Sequence, residues 1–95
     1  MTEKRDAYVQ ELKAKLNEWN AEIDKLRAKA DQAEAEAKIK YNKQLEDLKE
    51  KRKDVENKLA ELQKSGESAW ENLKQGVEKS WESLKESLAK FKSQF

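Results

Sequence analysis

The chain has 95 residues, and its 21 basic and 20 acidic side chains leave a net charge of only +1. This balance argues against nucleic acid as a partner, because nucleic-acid binding depends on basic surfaces. Apolar residues amount to 36% and charged residues to 43%. Bulky apolar residues are too few for an ordinary globular core, but they suffice for the narrow apolar stripe of a long helix. We therefore expect an all-α protein of the coiled-coil type.

The composition also argues against catalysis. Cysteine and histidine are both absent, which removes disulfides, thiol chemistry and the commonest general base. One weak candidate is a Ser–Lys pair drawn from Ser80, Ser83 and Ser87 near lysines. The other is a divalent-cation site without calcium-loop spacing, formed either by Glu34 and Glu36 or by Glu46, Asp47 and Glu50. A solvated helix surface is the favoured interpretation of both sets, so we expect no enzymatic activity, no metal and no cofactor.

The location is predicted from what the sequence lacks. No apolar run approaches the roughly 20 residues that a membrane-spanning helix needs. Residues 1–6 (MTEKRD) do not contain the apolar core of a signal peptide. We therefore expect a cytoplasmic protein.

The first predicted element is one long helix over residues 1–64. Its apolar residues recur three and four apart, as in a heptad seam, at Val9, Leu12, Leu16, Trp19, Ile23, Leu26, Ala30, Ala33 and Ala37. A stutter of two four-residue steps follows through Tyr41 and Leu45, and the heptad resumes at Leu48, Arg52, Val55, Leu59 and Leu62. Since no glycine or proline interrupts residues 3–64, we expect a continuous helix of about 62 residues, roughly 93 Å long.

Two segments of this helix have alternative interpretations. Residues 28–37 (AKADQAEAEA) place only alanine on the seam; this is either helix-forming filler, which we favour, or a close-packed or flexible section. Residues 49–53 (KEKRK) are either a solvated charge cluster, which we favour, or a site for phosphate or an acidic partner. Arg52 occupies a seam position, where a polar residue helps to select the register of the helices.

A turn is predicted over residues 65–68. Gly66 can adopt the left-handed conformation that ends a helix, and Ser68 with Glu71 fits the capping box of a new helix. The alternative is one continuous helix through Gly66, at a cost of about 1 kcal/mol relative to alanine.

The last predicted element is a shorter amphipathic helix over residues 69–95. The unit Trp70-Glu71-x-Leu73-Lys74 recurs eleven residues later, at Trp81-Glu82-x-Leu84-Lys85. At 100° per residue the large apolar side chains share an arc of about 80°: Trp70, Leu73, Val77, Trp81, Leu84, Leu88, Phe91 and Phe95. Lysines flank one side of this arc (Lys74, Lys85, Lys92) and small residues the other (Ala69, Gly76, Ser80, Ser87), which suits close approach of a second helix on the small side.

The two elements together predict an assembly. The shorter helix folds back on the second half of the long one as an αα-hairpin, which leaves the stripe of residues 5–33 uncovered. A homodimer with a four-helix section is the simplest way to cover it. The predicted oligomer or helix-packing seam comprises Val9, Leu12, Leu16, Trp19, Ile23, Leu26, Leu48, Val55, Leu59, Leu62, Trp70, Leu73, Val77, Trp81, Leu84, Leu88 and Phe91.

Residues 18–26 (EWNAEIDKL) and the paired Trp-Glu-x-Leu-Lys units carry a resemblance. Over most of its length the chain resembles small bacterial coiled-coil proteins, some of them associated with stress responses. The eleven-residue repeat is also similar to those of apolipoproteins and of late-embryogenesis-abundant proteins, although it is richer in tryptophan and leucine than the latter. The resemblance implies a helical protein and supplies no catalytic or ligand-binding residues.

Two functions follow from the sequence. The first is a self-associating helical scaffold, whose partner is a second copy or another protein. The alternative is a surface-active protein whose residues 68–95 bind lipid or cover apolar surfaces of stressed client proteins. A membrane surface is less favoured, because an arc of about 80° is narrow for lipid.

Overall fold

Three α-helices form the described part of the chain, residues 3–66 and 68–94 of a computed structural model. Helix α1 spans Glu3–Asp31, α2 spans Ala35–Lys64 and α3 spans Trp70–Lys92. No strand occurs in these two ranges, so the prediction of an all-α protein is confirmed. Four predicted positions lie outside the described residues: Met1 and Thr2 of the long helix, Glu67 of the turn and Phe95 of the apolar arc.

The expectation of one continuous helix to residue 64 is wrong, because the chain turns back at residues 32–34. Helix α1 ends at Asp31 and α2 begins at Ala35. In the turn, the N–H of Gln32 donates to the carbonyl of Lys29 at 3.2 Å, and Glu34 adopts an extended conformation with φ −65° and ψ 158°. The molecule is consequently 53 Å in its longest dimension, well short of the roughly 93 Å expected for a single helix.

The energetic reason for the turn is the apolar stripe of α1. Folding back buries five large aliphatic side chains of this helix, Val9, Leu12, Leu16, Ile23 and Leu26. At about 1.5–3 kcal/mol each, their burial is worth on the order of 10 kcal/mol. Interrupting the helix loses three or four backbone hydrogen bonds at about 1 kcal/mol each. Tertiary burial therefore outweighs the helix propensity of residues 28–37.

The second connection, between α2 and α3, differs in detail from the predicted turn. Gly66 does not adopt the left-handed conformation. Helix α2 ends at Lys64, and its C-cap is Ser65, which is extended (φ −74°, ψ 152°) and whose N–H donates to the carbonyl of Leu62. Helix α3 begins after Ala69, and among the described residues no side chain caps it. The capping box of Ser68 and Glu71 is therefore not formed.

The core lies along the axis between all three helices. Helix α3 runs antiparallel to α2 and is its closest neighbour, and α1 packs on both. The buried apolar residues form one cluster drawn from all three helices: Val9, Leu12, Leu16, Ile23, Leu26, Ala30, Leu45, Leu48, Val55, Leu59, Leu62, Trp70, Val77, Leu84, Leu88 and Phe91. The stripe of residues 5–33, expected to require a second chain, is thus covered within the chain by α2 and α3.

Candidate interaction surface

The predicted seam residues lie together in the bundle. Fourteen of the seventeen are buried, and the other three are partly buried and pack against the same core, namely Trp19, Leu73 and Trp81. The structure adds Ala30 and Leu45 to the core, together with the partly buried rings of Tyr8 and Tyr41. These contacts are all made within one chain.

The small flank of α3 faces α2. Ser80 is 7% exposed, and its hydroxyl donates to Asp54 Oδ2 at 2.8 Å and accepts from Lys58 Nζ at 2.6 Å. The hydrogen bond from Ser80, followed by that from Lys58 and its positive charge, lowers the pKa of the Asp54 carboxyl. About two turns further along α3, the hydroxyl of Ser87 accepts a hydrogen bond from Lys51. The buried serine is therefore satisfied, and the two contacts fix the register of α3 on α2.

The same flank was expected to allow a neighbouring backbone to come close, and Gly76 departs from that expectation. A Cβ built on Gly76 would meet nothing within 4 Å. The glycine therefore lies beside open space, and its small size serves no close approach in the closed bundle.

The lysine flank of α3 faces α1. Lys74 Nζ lies 5.1 Å from the ring centroid of Tyr8 and 5.9 Å from that of Trp70, both within the range of a cation–π contact. The pKa of Tyr8 is raised to about 12, chiefly by burial and then by the negative charges of Glu78 and Glu11. At the other end of this flank, Lys92 forms an ion pair with Glu22. The two different flanks of α3 therefore distinguish its two neighbours.

Aromatic pairs join α1 to α3. The rings of Trp19 and Trp81 stack with centroids 4.3 Å apart and planes 24° apart, and those of Tyr8 and Trp70 lie 6.3 Å apart. Each helix carries its two rings eleven residues apart, about three helical turns, so the rings project from one side of each helix. Tyr8 is not among the residues predicted from the sequence; its eleven-residue separation from Trp19, matching that in α3, is the signal that could have identified it.

Arg52 occupies the seam between α1 and α2, as the heptad predicts. Its guanidinium donates to Asn20 Oδ1 on α1 at 3.1 Å, and Nε lies 3.8 Å from Glu56 Oε1 on its own helix. The side chain is partly exposed, so the charge stays partly hydrated while the hydrogen bond joins the two helices.

The outer surface is charged. Ile39 is the exposed large hydrophobic side chain of the described chain, at 62%. The described grooves open to solvent and are lined by charged residues, for example Arg27, Asp31 and Lys49 in one of them. In the segment 49–53, Lys51 and Arg52 face neighbouring helices and the other three residues are exposed.

Within the described ranges, no three acidic residues are grouped so as to hold a metal ion. No described helix combines the length and the apolar content needed to cross a bilayer. No family model matches the chain, and no curated protein or solved structure matches it either. The resemblance to bacterial coiled-coil proteins therefore stays a prediction.

Proposed function

We propose that the protein is a non-enzymatic interaction module that acts by packing its amphipathic helices against partner helices, in the first place those of a second copy. The observation that supports this most is the distribution of apolar residues. The described large apolar side chains lie in seams between helices, whereas the outer surface is charged and Ile39 is the exposed exception. Helix–helix packing is thus the recognition chemistry that the chain is built to perform.

A partner reaches these seams only when a helix moves out of the way. Helix α1 is the one suited to this, since it contacts α3 mainly through side chains at the edge of the core, such as the stacked Trp19 and Trp81 and the ion pair of Glu22 with Lys92. Helix α3 is held more firmly, by the buried Ser80 and its two partners on α2. The scaffold function therefore involves α1 as the mobile helix and α2 with α3 as the fixed pair.

The test is size-exclusion chromatography with light scattering over a protein concentration series, without lipid. We expect a discrete oligomer, a dimer first, whose share rises with concentration while the helical circular dichroism stays constant. A helical monomer at every concentration would exclude self-association.

The second candidate is a surface-active protein, and the observation that favours it is the character of α3. This helix has the sharpest separation of apolar from polar residues in the chain, with two tryptophans and a phenylalanine on its buried side. Because that side faces the core, binding to lipid would require the bundle to open. Flotation with anionic vesicles, read together with tryptophan fluorescence, tests this candidate; co-flotation with a spectral shift would support it, and an unchanged spectrum with no flotation would reject it.

A further inference from the structure

We propose that two copies associate by exchanging α1, with residues 31–35 becoming continuous helix so that each α1 packs on α2 and α3 of the other chain. This inference rests on the proposed self-association and specifies its geometry. It follows from the sequence of the first connection, and a second feature, the register of the contacts that α1 makes, is the one that the exchange requires.

The first feature is a connection that its own sequence does not enforce. Residues 32–34 are Gln, Ala and Glu, and the surrounding segment 28–37 contains no glycine, proline or β-branched residue. All of these residues are compatible with a helix interior. The N-terminus of α2 has Glu34 as its N-cap, without a side-chain cap hydrogen bond. Tertiary burial therefore holds the turn, and the same burial is available if a second chain supplies it.

The second feature is the register between α1 and α2. These helices run antiparallel. Three hydrogen bonds connect α1 to α2 or to its C-cap, and they join Arg5 to Ser65, Lys13 to Gln63 and Asn20 to Arg52. The midpoints of these pairs fall at residues 35, 38 and 36, at or just after the turn. Two straight antiparallel helices related by a two-fold axis near residue 36 would bring the same partners together, each pair now joining two chains.

Contacts with α3 survive the same exchange. Helix α3 remains attached to its own α2 through the second connection, so a partner's α1 on that α2 meets α3 as well. The stack of Trp19 on Trp81 and the ion pair of Glu22 with Lys92 would both form between chains. The result is two three-helix bundles joined end to end by a pair of continuous helices.

Residues 28–37, which place only alanine on the seam, lie at the centre of this dimer. The two continuous helices meet at the two-fold axis, where the seam residues of the heptad stripe are Ala30, Ala33 and Ala37. Their small side chains let the two helices lie close together, and straightening the turn restores the backbone hydrogen bonds that it interrupts. Exchange therefore replaces the contacts within one chain by equivalent contacts between chains, and its extent depends on concentration.

The substitution Ala35→Pro separates the two forms. In the closed bundle residue 35 is the first residue of α2, where proline is favoured and no intrahelical N–H bond is lost, and the preceding Glu34 already has the extended conformation that a residue before proline requires. In a continuous helix the proline would be interior. At about 3 kcal/mol per proline, two prolines per dimer and 1.4 kcal/mol per tenfold, dimerisation should weaken by about four orders of magnitude.

The experiment compares wild type, Ala35→Pro and the control Ala35→Gln by light scattering, with thermal melts followed by circular dichroism. We expect dimers for wild type and Ala35→Gln, and a monomer for Ala35→Pro that melts as a folded helical protein. A second variant, four glycines inserted between Ala33 and Glu34, should also be monomeric, because the insertion breaks the continuous helix without a proline.

The outcomes distinguish the two proposals. If Ala35→Pro and the glycine insertion dimerise as strongly as wild type, the proposed exchange of α1 through a continuous helix is excluded while self-association stands. If wild type is monomeric throughout, self-association fails and exchange fails with it.

Discussion

Two isoleucines, Ile23 and Ile39, offer a matched test of the fold, since the same substitution by alanine can be made at each. Ile23 on α1 is 1% exposed in the core, whereas Ile39 on α2 is 62% exposed. A helix α1 that stood free, as in an isolated single long helix, would leave Ile23 in water as well. The two substitutions therefore report directly on whether α1 is folded back.

The magnitudes follow from burial. Ile23→Ala removes a fully enclosed side chain and should lower the free energy of unfolding by about 2–5 kcal/mol, the range for such truncations in a core. For a domain of this size each kcal/mol shifts the melting temperature by about 4–8 °C, so a central loss of about 3 kcal/mol lowers it by roughly 12–24 °C. Ile39→Ala should change the stability by no more than about 0.5 kcal/mol, with a small gain from the higher helix propensity of alanine.

The assay is urea unfolding followed by circular dichroism at low protein concentration, where the chain is expected to be monomeric. Equal effects of the two substitutions, both below about 0.5 kcal/mol, would refute the packing of α1 on α2 and α3. An unchanged slope of free energy against urea concentration would show that Ile23→Ala acts on stability and leaves the extent of unfolding the same.

Three further predictions concern α3 and its neighbours. Gly76→Ala should stabilise the bundle by about 0.5–1 kcal/mol in urea unfolding, because the added methyl group meets open space and alanine is the better helix former; a loss of stability would contradict the open space. A double-mutant cycle of Trp19→Ala and Trp81→Ala should give a coupling of about 0.5–1.5 kcal/mol, and additive effects would mean that the rings do not stack. The pKa of Tyr8, raised from 10.0 to about 12, means that the folded state holds the phenol proton more tightly, so stability should fall as the pH rises from 10 to 12. Tyr8→Phe should reduce that fall, and a phenolate of Tyr8 forming near pH 10 in the folded protein, followed by ultraviolet absorbance, would contradict the shift.

The periodicity of apolar residues predicted most of the core. Spacings of three and four residues placed Leu16, Ile23 and Leu26 on one face of a helix, and Val77 and Leu84 on one face of another, and the structure buries all five. Such patterns are reliable because burial of one face is the reason for the pattern.

The turn at residues 32–34 could not be predicted from local chemistry, because every residue in it favours a helix. Whether the helix is interrupted here depends on the balance between the free energy of a few lost backbone hydrogen bonds and that of burying the α1 stripe. One sign was nevertheless present. The change of phase between Ala37 and Leu45, interpreted as a stutter in one helix, lies just after the turn, at the start of α2.

The different flanks of α3 could be predicted, but their neighbours could not. Assigning the lysine flank to α1 and the small flank to α2 requires α1 to be folded back, which the prediction of a long helix excluded. With Tyr8 and Trp19 set eleven residues apart, like Trp70 and Trp81, the pairing of the two aromatic rows between α1 and α3 follows once both helices lie side by side.

Exchange of α1 between two copies is tested most directly by cross-linking between chains. The chain lacks cysteine, so Lys13→Cys and Gln63→Cys can be placed in separate chains at positions whose native side chains meet at 3.2 Å. The two chains are refolded together at high concentration and treated with a short bismaleimide. A chain that carries both substitutions, treated at high dilution, is the control for proximity and should cross-link within itself. Our account predicts a covalent dimer of the two singly substituted chains that disappears when both also carry Ala35→Pro. A control chain that cross-links internally, beside a mixture that yields no such dimer, would contradict the exchange.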